Sequence, residues 1–174
     1  MNHSADYTLL LDMPREQAWE RLRDLSIPHN YVPGVTRTEI TTASSGGVGA
    51  SRRVYMSDTR YLDETVIEWV DGHGFVIRLH NADAGPPSPF TEATFRYWLE
   101  DEGPDQTRLT NTLSYSVRWG VLGKLLNRLV MAGPVRANLR GGALGLKDFY
   151  HTGIAITPER LEELKKQAAV AAVV

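Results

Sequence analysis

The sequence contains no cysteine. That excludes disulfides, thiolate nucleophiles and cysteine-ligated zinc, and it suits a reducing compartment. No run approaches the ~20 apolar residues that a membrane span requires. The N-terminus, with Asn2, His3, Ser4 and Asp6, lacks the basic start and apolar stretch of a signal peptide. Both absences point to a cytoplasmic chain without stable membrane insertion. An excess of one charge is missing too: 19 Lys and Arg stand against 21 Asp and Glu, a net charge of −2. Phosphate recognition needs a dense basic surface, so nucleic acid is not expected as a partner. Catalytic signatures are equally scarce, with no Gly-x-Ser-x-Gly elbow, no Walker loop and no His-Glu-x-x-His. The histidines are scattered. His73 and His80 fall on opposite parities of one expected strand and cannot share a metal. Neither a metal nor a cofactor is expected.

The 174 residues, 42% hydrophobic and 23% charged, suit one globular domain that buries about 70% of its unfolded surface. The order of its elements is the strongest signal. Tyr7 to Leu11 reads as a strand. Pro14 then opens a helix whose Ala18, Trp19, Leu22 and Leu25 recur at helical spacing. Ile27 to Gly34, broken by Pro28 and Pro33, reads as a turn or a very short helix. From Val35 to Val117 the period is two. Thr36, Thr38 and Ile40 share one face, Ser44 to Gly49 forms a hairpin loop, and Ala50 to Ser57 and Tyr61 to Val70 follow as strands. In the second of these, Glu64 and Glu68 are expected to face water, with Thr65, Ile67 and Trp69 inward. Later inward sets are Phe75, Ile77 and Leu79, then Ala93, Phe95, Tyr97 and Leu99. Leu109, Asn111, Leu113, Tyr115 and Val117 form the last. Such alternation marks an antiparallel sheet with one wet face.

A long amphipathic helix, Val121 to Tyr150, closes this order. Its stripe of Leu122, Leu125, Leu126, Leu129 and Val130 restarts after Gly133-Pro134 at Val135, Leu139, Leu146 and Phe149, so a kink is expected there. Gly141, Gly142 and Gly145 weaken the helix, a cost that close approach of its backbone to the sheet, or a need to flex, would justify. Arg128, Arg136 and Arg140 are expected toward solvent. Gly153 ends the helix and Thr157-Pro158-Glu159 starts a second one. The division expected is a domain over 1–153 and a helical tail over 154–174, whose apolar end (Ala168 to Val174) docks or frays.

A curved sheet wrapped on one late helix readily leaves a cavity between them. Trp69, Phe75, Phe95, Tyr97 and Tyr115, with Leu113 and Leu129, would turn toward it, either as plain core or as a wall for an apolar or aromatic molecule. Asn111 is the inward polar group that needs a bond, from the fold or from a ligand, because an unpartnered buried amide costs about 1–3 kcal/mol. Arg52 shares parity with Val54 and Met56. It would sit inward near the cavity mouth, or else on the surface at a strand end. The ligand-binding set expected is therefore Arg52, Trp69, Phe75, Phe95, Tyr97, Asn111, Leu113, Tyr115 and Leu129. No catalytic residue is assigned.

Several segments together resemble the helix-grip superfamily. They are Met13-Pro14-Arg15-Glu16-Gln17-Ala18-Trp19, Tyr31-Val32-Pro33-Gly34-Val35, Gly47-Val48-Gly49, Asp63 to Trp69 and Leu144 to Phe149. That superfamily includes START lipid-transfer domains, the birch-pollen allergen and its plant relatives, and bacterial polyketide cyclase/dehydrase-like proteins. The resemblance covers about Tyr7 to Gly153. It implies an α+β helix-grip fold, a curved antiparallel sheet of six to seven strands around the long C-terminal helix. The function expected is binding or transport of a small hydrophobic molecule such as a lipid, a quinone or a polyketide-like aromatic. Two alternatives stand beside it. One is a cyclase/aromatase-type enzyme using Arg52, Tyr97, Asn111 and Tyr115; the other is an interaction module that docks through the tail, unless the tail instead covers the cavity mouth of its own or a neighbouring copy, and a homodimer is among the partners considered.

Overall fold

The computed structural model describes residues 1, 3–82, 85–88, 90–117 and 132–171. Seven strands form one antiparallel sheet: β1 (His3–Leu11), β2 (Arg37–Ile40), β3 (Ser51–Tyr55), β4 (Tyr61–Val70), β5 (Gly74–His80), β6 (Phe90–Gly103) and β7 (Gln106–Val117). Their order across the sheet is β1-β7-β6-β5-β4-β3-β2. Consecutive strands from β2 to β7 are neighbours, and β1 returns to pair with β7, so the two ends of the order are β1 and β2. Helix α1 (Arg15–Leu22), a 3-10 turn (Pro28–Asn30), α2 (Ala132–Thr152) and α3 (Pro158–Ala171) complete the described elements. This is the expected α+β helix-grip architecture.

Each helix buries the face its spacing marks. Ala18, Trp19 and Leu22 of α1, with Leu25 just beyond, are buried. In α2 the buried series is Val135, Leu139, Ala143, Leu146 and Tyr150, one stripe of a 3.6-residue period. The expected helical stretch 121–131, its stripe and Leu129 lie outside the described residues, as does Arg128. Gly133 and Pro134 belong to the first described turn of α2. Arg136 is exposed as expected. Arg140 is not: it is half-buried, and its Nη2 donates to the Lys165 carbonyl of α3 at 2.9 Å.

Close approach explains Gly145. A Cβ there would run into the Tyr31 carbonyl, so the glycine lets α2 seat directly on the turn that carries Tyr31. Gly153, at φ +70°, follows the last residue of α2, a left-handed position that glycine tolerates.

The register of β4 corrects one expectation. Leu62, Glu64 and Val66 turn inward, whereas Thr65 faces the outer side, bonded to Ser51 Oγ at 2.6 Å and His80 Nε2 at 2.8 Å. A bulge between Val66 and Glu68 opposes an extra residue to β5, so parity reverses along the strand. Trp69 and Glu68 therefore lie inward and outward as expected, but Ile67 is exposed and Glu64 is not solvated.

Candidate ligand cavity

A cavity of about 350 Å³ lies between the inner sheet face and α2, within the size range of small-molecule sites. The sheet supplies Val54, Leu62, Ile77, Leu79, Phe90, Phe95 and Leu113 to its wall, α2 supplies Val135, Leu139 and Gly142, and Val32, Pro33 and Val35 close one side. Against this apolar surface stand a few polar groups, namely Arg52, Glu64, Tyr31, Tyr97 and Asn111, with Asn138 on α2.

Arg52 and Glu64 are directly opposed across β3 and β4. The Arg52 Nε lies 2.5 Å from Glu64 Oε2, and its Nη1 donates to the Leu25 carbonyl at 3.3 Å. Arg52 is only 2% exposed. Burial works against its charge, yet Glu64, then Tyr31 and Tyr97, hold its pKa above the ordinary arginine value. The pair is thus charged and internally neutralised, as a buried ion needs to be.

Tyr31, Tyr97 and Tyr150 are buried around this pair. Desolvation raises the pKa of each phenol, partly opposed by the Arg52 charge. All three keep their protons at neutral pH and are not bases; among the described residues the Tyr150 hydroxyl has no hydrogen-bond partner. Asn111 completes the polar end. It is 1% exposed, lines the cavity, and among the described residues its Oδ1 has no hydrogen-bond partner.

Of the expected set, Arg52, Phe95, Tyr97, Asn111 and Leu113 come together on the cavity wall. Trp69, Phe75 and Tyr115 do not reach it. Trp69 packs edge-on to Trp19 and stacks on Phe75, with centroids 5.0 and 5.5 Å apart, while Tyr115 packs with Ala93, Val135 and Leu139. Glu64 and Tyr31 are cavity residues that sequence reasoning missed. The β4 bulge hid the first. The second lies on an irregular turn without periodicity, and the close approach expected of the α2 glycines toward the sheet is, at Gly145, an approach to this turn.

Among the described residues no group of three or more His, Asp or Glu side chains could hold a metal, and no helix is long and apolar enough to cross a membrane.

Residues 2–149 match the family model described as polyketide cyclase / dehydrase and lipid transport. No curated protein matches the sequence. Among solved structures, a protein of Thermobifida fusca determined by NMR in solution is 18% identical with a TM-score of 0.66, covering 84% of this chain and 92% of its own. A START superfamily protein from Mycobacterium smegmatis is 18% identical with a TM-score of 0.63, covering 86% of this chain and 98% of its own. Ara h 8.0201 is 10% identical with a TM-score of 0.60, covering 86% and 98%. At these identities the likeness establishes a shared fold.

Proposed function

The chain belongs to the polyketide cyclase/dehydrase and lipid transport family, and from that premise we propose that it binds a small, mostly apolar molecule in the cavity between sheet and α2. The bound molecule carries one hydroxyl group, which meets the polar end formed by Asn111, Tyr97 and the Arg52–Glu64 pair. The observation that carries this reading is the unpartnered Oδ1 of Asn111, buried at 1% exposure on the cavity wall. A buried amide oxygen without a partner costs about 1–3 kcal/mol, and a ligand group that donates to it recovers that cost. Because an amide presents oxygen and nitrogen by a simple rotation, a hydroxyl, which both donates and accepts, suits either orientation. A free carboxylate suits the site less well, since Glu64 already neutralises Arg52.

Native mass spectrometry after gentle purification tests this directly. A copurified small molecule, or saturable uptake of hydrophobic dyes and lipids, is expected. A protein that takes up none of them overturns the reading.

A cyclase/aromatase-type activity is the second reading, favoured by the protonated phenols beside Arg52. Tyr31 and Tyr97 could donate hydrogen bonds to a ligand carbonyl as negative charge develops on its oxygen. Turnover of a polyketide-like substrate that falls in Tyr97→Phe and Arg52→Met would support it. Turnover indifferent to both would count against it.

A further inference from the structure

A second cavity, of about 340 Å³ and open to solvent at His29, Gly34, Thr36, Thr157 and Pro158, lies between the start of the tail helix α3 with the two residues before it (Ile156, Thr157, Pro158, Leu161) and the segment from His29 to Thr36. It is nearly equal in size to the first, and the two share three wall residues: Val32, Pro33 and Val35. Between them stands one turn, whose Pro33 ring lies against Gly141 of α2, 3.4 Å from where a Cβ would sit there. Val35 N–H donates to the Val32 carbonyl at 3.2 Å, Pro33 occupies the second position, and Gly34 takes φ +80° in the third. That is the pattern of a type II turn.

Both flanks of the turn are fixed. On one side the Tyr31 carbonyl is seated against Gly145. On the other, Thr36 binds the Tyr55 carbonyl through its N–H at 2.8 Å and its hydroxyl at 3.1 Å. The far wall is fixed as well. Arg160 Nη2 lies 2.7 Å from Asp148 Oδ1, Ile156 N–H donates to the Asn30 carbonyl at 2.8 Å, and Leu161 is buried. Around Gly34 no atom lies within 4 Å of a Cβ built there. Pro33 and Gly34 at the tip of this turn are exposed, so the two spaces flank one thin turn at the protein surface, held between fixed supports.

We infer that the cavity at the start of α3 is a second compartment of the ligand site. An elongated ligand places its polar end at Asn111 and passes its apolar chain beside the Val32–Val35 turn, to lie against Ile156 and Leu161. The tail helix, outside the 2–149 stretch that matches the family model, would then set the length of ligand accepted. This inference rests on the cavity reading above. Each added methylene that finds an apolar wall strengthens binding severalfold, so a two-compartment site rewards chain length that the first cavity alone cannot house.

The test compares para-ethylphenol with para-octylphenol on the full chain. Octylphenol is expected to shift the methyl NMR signals of Ile156 and Leu161, whereas ethylphenol binds without moving them. Filling the second compartment with Ile156→Trp is expected to weaken octylphenol about tenfold and to leave ethylphenol within about twofold. Octylphenol that binds without moving those methyls in the wild-type protein overturns the inference, whatever the variant does, and leaves the main cavity reading intact. If neither phenol binds the wild-type protein, the main cavity reading fails and the second compartment with it.

Discussion

Arg52 and Glu64 face each other across neighbouring strands with 2.5 Å between Nε and Oε2, both on the cavity wall. Removing one partner leaves the other charge without compensation. Glu64→Leu is therefore expected to destabilise the fold by about 3–5 kcal/mol in urea unfolding. The double variant Arg52→Met with Glu64→Leu should recover most of that loss. Single and double variants of equal stability would show that the pair is not coupled.

Two glycines of α2 offer opposite outcomes. Gly145→Ala forces a methyl against the Tyr31 carbonyl and should cost about 1–3 kcal/mol. Gly142, only three residues earlier, has no atom within 4 Å of an added Cβ, so Gly142→Ala should stabilise by about 0.5–1 kcal/mol. Thermal unfolding of the two variants side by side decides it, and equal effects would contradict the packing described.

Acid stability tests the outer face of the sheet. Arg53 binds Asp63 at 2.7 Å and holds its carboxyl below the usual range, against the effect of partial burial, with the Ala82 N–H assisting. A lowered folded pKa contributes stability that is complete above the unfolded value, about 3.9, and is lost as pH falls through the folded value. Asp63→Asn should thus be less stable than wild type at pH 7, with the gap closing below about pH 4. A gap independent of pH would contradict the assignment.

Much of the cavity was legible because the alternation runs unbroken through Ile77 of β5, Phe95 and Tyr97 of β6, and Asn111 and Leu113 of β7. Period two put Phe95, Tyr97, Asn111 and Leu113 on the inner face, and the structure places all four on the cavity wall. Parity assigns a face but not a depth along the strand, which is why Trp69 and Phe75, on that same face, pack under Trp19 instead. In β4 even the face was misread up to Ile67. A bulge leaves no mark in the apolar pattern, and the parity that Glu64 shares with Glu68 sent both to solvent, although the bulge lies between them. Tyr31 had no period to betray it. Its position follows from the contact between its own backbone and Gly145, which only the folded chain displays.

The most direct measurement of the central claim compares α-naphthol with its methyl ether, by titration calorimetry, on wild type and on Asn111→Leu. The ether keeps the apolar body and loses the donor. Wild type should bind the naphthol about tenfold more tightly than the ether, the worth of one buried hydrogen bond. Asn111→Leu removes an unpartnered polar atom, so it should fold at least as stably as wild type and bind the two compounds about equally. The same naphthol preference in both proteins would contradict Asn111 as the polar anchor of the site.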